Sequence, residues 1–167
     1  EEGNGLYINF RYQVPQGNGV ILKLQRAGQA EYPMITVSAH NTVEDPGQER
    51  IIDFSLDILA YQNNEWVSAH TIGEFKRGIA YISPMMADDA WYEILVVISN
   101  DYVRALVKAC ASLADFQRSA DLQLPLSSFE PRPWPDHMQF TPVGSSGNTY
   151  NRIRIDDVCV MSMKDPF

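Results

Sequence analysis

Short segments of alternating apolar and polar residues recur along this chain about every 10 to 15 residues. LYINFRYQV (6–14), VILKLQRA (20–27) and YPMITVSA (32–39) are examples, and Pro15 and Gly28 end the first two. Alternation with a period of two is typical of strands that bury one side of a sheet. The pattern therefore predicts an all-β fold, a two-sheet antiparallel β-sandwich of about a dozen strands.

One hairpin stands out in the second half of the chain. WYEILVVIS (91–99) and YVRALV (102–107) flank Asn100 and Asp101, which tolerate the positive φ of a tight two-residue turn. The overlapping stretch ALVKACASLADFQRSA (105–120) has alanines that also allow one or two helical turns after the hairpin. The choice between strand and helix stays open there.

The closing stretch RIRIDDVCV (152–160) changes its pattern in the middle. Ile153 and Ile155 share one side of a strand, whereas Val158 and Val160 have the parity of the two arginines. A strand with one buried side cannot keep both pairs of apolar residues inside unless its register changes.

A β-bulge at Asp156–Asp157 explains this change, because one extra residue turns the following side chains to the other side. On this interpretation Val158 and Val160 join the core, and the two carboxylates accept backbone N–H groups or pair with Arg152 or Arg154. The alternative is a strand that is buried on both sides.

Length and composition indicate one domain, residues 1–167. The chain has 167 residues, of which 45% are hydrophobic, enough for a sizeable core. Its longest apolar run, Ile94–Ile98, is much shorter than a membrane span, and no secretory leader is recognisable. We therefore expect no membrane insertion.

The charge balance argues against a polyanionic partner. There are 21 acidic and 13 basic residues, which gives a formal net charge of −8. Nucleic acid and anionic lipid both require a dense positive field, and Arg152 with Arg154 is the best local basic cluster. We expect no nucleic-acid binding.

The two cysteines, Cys110 and Cys159, have no second pair and no CxxC spacing. With only three histidines in the chain, a zinc site is disfavoured. Two alternatives remain: two buried thiols, or one long-range disulfide.

Four segments in the second half of the chain resemble the closing strands of laminin G-like, concanavalin A-like jelly-roll domains. They occur in the family's order: WYEILVVIS (91–99), YVRALV (102–107), FTPVGSSGN (140–148) and RIRIDDVCVM (152–161). The resemblance implies a jelly roll that is secreted or displayed on the cell surface. It also implies a role in adhesion or recognition, with a glycan or a protein as the ligand.

Two site expectations come from this resemblance. Many laminin G domains tie the closing strand to an earlier one by a disulfide, which implies a bridge between Cys110 and Cys159. Many also bind one calcium ion at the rim of the sandwich, and Asp88 and Asp89 supply the densest rim carboxylates.

Catalysis has weak support in the sequence. Asp53 and Asp57 in DFSLD (53–57) share one side of a strand at about 13 Å. That exceeds the spacing of a retaining glycosidase pair and is generous for an inverting one. No nucleophile elbow or Ser-His-Asp pattern is recognisable. No catalytic residue is therefore assigned.

Aromatic side chains provide the candidates for ligand contact. Trp134 lies in the rigid loop PRPWP (131–135), where it either caps the core or offers a contact surface. Trp66, with Tyr61 beside it, is the second candidate. We predict a non-catalytic recognition domain that binds a glycan or a protein through rim loops. The alternatives are an assembly module of a larger complex and a carbohydrate-active enzyme.

Overall fold

The computed structural model describes residues 4–14, 17–43, 50–68, 75–82, 90–109, 116–118, 120–129, 131–144 and 153–164. These residues form twelve strands and no helix, and accordingly no helix that could cross a membrane. The strands are β1 (Asn4–Gln13), β2 (Asn18–Gln25), β3 (Met34–Val43), β4 (Arg50–Gln62), β5 (Glu65–Ser68), β6 (Phe75–Ile82), β7 (Tyr92–Ile98), β8 (Tyr102–Ala109), β9 (Phe116–Arg118), β10 (Ala120–Pro125), β11 (His137–Gly144) and β12 (Arg154–Lys164).

The strands form two antiparallel sheets. The smaller sheet has five strands in the order β10-β8-β7-β1-β12, so the first and last strands of the chain are neighbours. The larger sheet has seven strands: six follow the order β11-β2-β3-β4-β6-β9, and β5 pairs with β4. This arrangement confirms the predicted all-β sandwich of two antiparallel sheets.

The core lies between the sheets and follows the alternation in the sequence. Along β7, every second residue from Tyr92 to Ile98 is buried, and β10 shows the same pattern. Phe10 of β1 and Phe140 of β11 meet edge to face across the two sheets, with ring centroids 4.8 Å apart. Burial of each such large apolar side chain stabilises the fold by about 1.5–3 kcal/mol.

The hairpin of β7 and β8 turns at the predicted residues but by a different mechanism. Ser99 and Tyr102 close the turn through a hydrogen bond from Ser99 N to Tyr102 O, 2.9 Å long. Neither Asn100 nor Asp101 has a positive φ. The Ser99 hydroxyl instead accepts the N–H groups of Asp101 and Tyr102, at 3.2 and 3.1 Å, and satisfies the turn.

The helical alternative for 105–120 is not supported where the structure describes that stretch. β8 continues to Ala109, and strands resume at Phe116 and Ala120, whereas 110–115 lie outside the described residues.

The predicted bulge in the closing strand is confirmed. The register between β1 and β12 shifts between Asn9, opposite Cys159, and Arg11, opposite Asp156. Asp157 lies in this interval with a φ of 50°, a left-handed conformation that aspartate tolerates better than most residues. Its carboxylate pairs with Arg11 of β1 at 2.8 Å, and Asp156 Oδ1 accepts the Asp157 N–H at 2.9 Å, whereas Arg152 lies outside the described residues.

The predicted burial of the residues after the bulge is wrong. Val158 and Val160 are 45% and 51% exposed. The bulge does turn Val160 inward, since it lies opposite the buried Ile8 of β1. However, β12 is the end strand of its sheet, so these side chains reach the open edge of the sandwich and not its centre.

Candidate functional site

The outward side of the larger sheet is polar along its two central strands, β3 and β4. In β4 the inward residues Phe54 and Leu56 are fully buried, whereas Asp53, Ser55 and Asp57 between and beside them are only half-buried. We call the outward set on these strands the β3–β4 face. Its members are Thr36, Ser38, His40, Asp53, Ser55 and Asp57.

Cross-strand pairing connects these side chains. Ser38 lies directly opposite Ser55, and their hydroxyl oxygens are 2.8 Å apart. His40 lies opposite Asp53, and its Nε2 is 3.2 Å from the carbonyl oxygen of Gly17, which can accept its proton. Such a row of hydroxyl, imidazole and carboxylate groups both donates and accepts hydrogen bonds.

Asp53 is bound by Arg77 of the neighbouring strand β6. Arg77 Nε donates to Asp53 Oδ1 at 2.7 Å, and a second contact joins Arg77 Nη2 to Asp53 Oδ2. The hydrogen bond to Asp53 and its charge raise the pKa of Arg77 above its ordinary value. This bidentate pairing neutralises one carboxylate of the β3–β4 face and fixes its orientation.

An aromatic pair lies at one end of the same face. Tyr61 of β4 and Trp66 of β5 are directly opposite each other, with ring centroids 5.2 Å apart. They stand on a tight hairpin whose two turn residues, Asn63 and Asn64, both have positive φ. The sequence QNNE (62–65) is typical of such a turn, because asparagine tolerates positive φ.

The aromatic pair and the polar residues point to the same side of the sheet. Alternation along β4 places Tyr61 on the side of Asp57 and Asp53, with Asp57 about 13 Å and Asp53 about 26 Å away along the strand. Tyr61 is 42% exposed, so the phenol ring is open to a ligand. The result is a polar strip and, beyond Leu59 on the same side of β4, an aromatic pair.

Such an arrangement is suited to binding and poorly suited to glycoside hydrolysis. Aromatic faces with a few convergent polar groups are typical of ligand sites. Asp53 and Asp57 lie about 13 Å apart along β4, wider than the carboxylate pairs of retaining or inverting glycosidases. Arg77 also occupies the Asp53 carboxylate.

Trp134, the first candidate from the sequence, lies apart from this face. It is partly buried and packs against the hydrophobic core, and Pro133 and Pro135 on either side are buried. These contacts favour the capping role of the two that the sequence left open.

The other predicted site residues are only partly described. Asp88 and Asp89 lie outside the described residues, so the calcium site stays a prediction. Cys110 also lies outside them, whereas Cys159 is exposed on β12. The disulfide between the two cysteines stays a prediction as well.

The smaller sheet has a very different outward side. Asn9 lies near its centre, and five apolar, at least partly exposed residues lie around it on neighbouring strands: Tyr7, Leu95, Val97, Leu106 and Met161.

Ion pairs border this apolar area. Glu93 pairs with Lys108 at 2.8 Å, and Asp121 pairs with Arg104 through Nε at 2.8 Å. Partial burial acts to raise the pKa of Glu93, but hydrogen bonds from Lys108 and Asn9 outweigh it, so the pKa is lowered overall. The hydrogen bond from Arg104 lowers the pKa of Asp121.

Comparisons with known proteins give a fold and no family. No family model matches the chain, and no curated protein matches it. Among solved structures, the CBM2 module of Lactobacillus casei BL23 phage J-1 evolved Dit superposes with a TM-score of 0.57 at 12% identity. The match covers 95% of this chain but only 61% of the phage chain. This chain therefore spans less than two thirds of the phage chain's length.

A functionally unknown protein from Saccharomyces cerevisiae is also similar, at 13% identity and a TM-score of 0.42. That match covers 96% of this chain and 71% of the yeast chain, and such a low TM-score supports no argument. At 12% identity the phage module supports the β-sandwich fold alone.

Proposed function

We propose that this protein is a carbohydrate-binding β-sandwich module whose ligand lies along the β3–β4 face against Tyr61 and Trp66. The observation that carries the proposal is the aromatic pair beyond one end of a strip of hydroxyls and carboxylates on one side of the sheet. An extended glycan presents an apolar ring face and many hydroxyls, which match these two features.

The comparison with the phage protein supports this proposal, because that protein is a CBM2, or carbohydrate-binding, module. Several finer assignments belong to the same proposal: a concanavalin A-like, laminin G-like jelly roll, a location outside the cell, and a calcium ion at Asp88 and Asp89. The site differs from the rim loops that the sequence favoured, because the β3–β4 face lies on the sheet itself.

A glycan-array assay on the purified chain, with calcium and again with EDTA, tests the proposal. We expect binding to a defined glycan, and loss of binding in EDTA would support the calcium assignment. Absence of binding in both buffers would overturn carbohydrate recognition.

The decisive variant is Trp66→Ala. Removal of a central aromatic contact typically costs about 2 kcal/mol, or roughly thirtyfold in Kd. Tyr102→Ala, which removes a half-buried aromatic beside the hairpin turn of the other sheet, is the matched control and should leave the Kd unchanged. Equal losses in both variants would contradict the assignment of the site.

A second candidate is an assembly module that contacts other proteins. The apolar outward side of the smaller sheet favours it, because side-by-side Tyr7, Val97, Leu95 and Leu106 form a surface of the kind that protein partners cover. The two candidates use opposite sides of the sandwich and are compatible with each other.

A further inference from the structure

The outward side of the smaller sheet carries a row of charged side chains across four neighbouring strands, which we call the charged row. Lys108 of β8 lies opposite Glu93 of β7, and Glu93 lies opposite Arg11 of β1. Arg11 in turn lies opposite Asp156 of β12 and forms its ion pair with the next residue, Asp157. The charged row therefore alternates in sign, with cations on β8 and β1 and anions on β7 and β12.

Apolar side chains lie next to the charged row on the same four strands. They are Tyr7, Leu95, Val97, Leu106 and Met161, and all are at least partly exposed. Asn9 lies among them, and its side-chain amide donates to Glu93 Oε1 at 2.7 Å, which directs this polar group towards the charged row. An exposed apolar area that is bordered by charged residues is typical of a surface that another protein covers.

The ion pairs on this side of the sheet are locally neutral, although the whole chain has a net charge of −8. The three pairs are Lys108–Glu93, Arg11–Asp157 and Arg104–Asp121. At about 0.1 M salt, exposed charges act over about 10 Å. A second acidic chain that approaches this side therefore meets neutral pairs at close range, and the distant acidic residues are screened.

We propose that this side of the smaller sheet binds the same side of a second copy of this chain, about a two-fold axis that runs parallel to the strands between β7 and β1. The alternating signs of the charged row identify the occupant. The axis reverses the row, so Lys108 of one copy lies over the acidic β12 end of the other, and Glu93 lies over Arg11. Each charge then meets the opposite sign across the interface, and the contact is isologous. This inference rests on the assembly candidate of the proposed function and names its partner.

The same axis also brings apolar side chains together. Val97 of each copy lies over Tyr7 of the other, because these two residues are neighbours on either side of the axis. Met161 lies over Arg104, whose aliphatic stem can pack on apolar surface while its guanidinium pairs with Asp121. Sheets that pack face to face with nearly aligned strands have the arrangement found within a β-sandwich.

The area of the overlap predicts a weak dimer. The axis superposes β8, β7, β1 and β12, which together are about 19 Å wide, and β7 is about 24 Å long, whereas β10 lies outside the overlap. The contact then covers on the order of 450 Å² on each copy, or about 900 Å² in total, which is the size of a transient interface. We therefore expect a dimer that dissociates on dilution.

Sedimentation velocity of the ligand-free protein in reductant, over about a hundredfold range of concentration, tests this proposal. We expect the average mass to rise from 18.9 kDa towards twice that value. Arg11→Glu and Glu93→Lys should each abolish the rise, because each places like charges opposite each other beside the axis. An equal mixture of the two variants should dimerise again, because the new anion of one then lies over the new cation of the other.

Two control variants match these changes. Lys23→Glu alters the net charge by the same amount as Arg11→Glu but lies on the larger sheet, so it should dimerise like the wild type. Leu95→Lys places a charge among the apolar side chains and should abolish the dimer independently of the charged row. Gln123→Lys adds the same charge to β10, outside the overlap, and should leave the dimer intact. Circular dichroism melting verifies that each variant is folded.

A wild-type mass that stays at the monomer value at every concentration would overturn the proposal. So would a mixture of Arg11→Glu and Glu93→Lys that remains monomeric. If both charge variants dimerise like Lys23→Glu while Leu95→Lys does not, the two-fold arrangement is wrong, but assembly through this side of the sheet stands. No glycan is present, so these results are independent of the proposed carbohydrate binding.

Discussion

The larger sheet turns hydroxyls, carboxylates and an imidazole outward along β3 and β4, whereas the smaller sheet turns leucine, valine and tyrosine outward along β1, β7 and β8. Both sheets use the same alternation to fill the shared core. Their outward residues contribute little to that core and are free to differ. The comparison shows that the shared core constrains the inward positions, whereas the chemistry of the outward positions differs between the two sheets.

The largest expected effect tests how closely the backbones of β2 and β3 must approach each other in the larger sheet. A Cβ atom added at Gly19 would lie 2.5 Å from the carbonyl oxygen of Ala39 and 3.0 Å from Cα of His40. Because both contacts are backbone atoms, Gly19→Ala should separate β2 from β3 and lower the free energy of unfolding by about 2–3 kcal/mol.

Gly78→Ala is the control for that experiment. A Cβ atom there would lie 3.0 Å from Leu122 Cδ2, the end of a flexible side chain that can rotate away. Urea denaturation of both variants measures the difference. Equal losses of stability would show that the backbone contacts at Gly19 do not make this position less tolerant of a side chain than Gly78.

The next effect separates binding from stability on the polar side. Ser55→Ala removes one hydroxyl of the Ser38–Ser55 pair from the β3–β4 face. We expect the Kd for a glycan to rise by about fivefold, corresponding to about 1 kcal/mol for one hydrogen bond. Calorimetric titration measures this, with Gln123→Ala on the other sheet as a control that should bind normally.

On the apolar side, Glu93 should make stability depend on pH. Its pKa in the folded state lies below the ordinary value of 4.5, so its contribution is present above pH 4.5. The contribution is lost as pH falls through the lowered pKa of the folded state, because the protonated carboxyl can no longer pair with Lys108. Thermal melts across this range should show a shallower acid dependence for Glu93→Gln than for the wild type, and identical slopes would contradict the prediction.

The smallest effect concerns the exposed pair of Arg104 and Asp121. Their side chains are 52% and 41% exposed, so solvent screens their attraction. Asp121→Asn should lower the free energy of unfolding by about 0.2–1 kcal/mol, and less at high salt. A larger loss that persists in high salt would show that this ion pair contributes more to the free energy of unfolding than an exposed pair is expected to.

Parts of the candidate site were predictable from the sequence. Alternation in DFSLD placed Asp53 and Asp57 on one side of a strand, and the tight turn before Trp66 was recognisable from its asparagines. The polar row in MITVSAH (34–40) carries the same period-two signal. The contact of Ser38 with Ser55 was not predictable, because it depends on the register between two strands.

The closing strand shows a similar limit. The change of parity at Asp156–Asp157 correctly indicated a bulge and an inward direction for Val160. It did not indicate exposure, because burial of an inward side chain also depends on which strand lies beside it. Strand order in the sheet makes β12 an edge, and that order leaves Val160 half exposed.

The sequence alone therefore determined the all-β class, the buried side of most strands and the position of the main turns, since these follow from alternation and turn chemistry within a few residues. Only the tertiary structure decided which strands are neighbours and which are edges. That placed Tyr61 and Trp66 beyond one end of the polar strip and left Val160 half exposed at an edge. Register and strand order arise from contacts between residues far apart in the chain. A local sequence pattern therefore does not specify them.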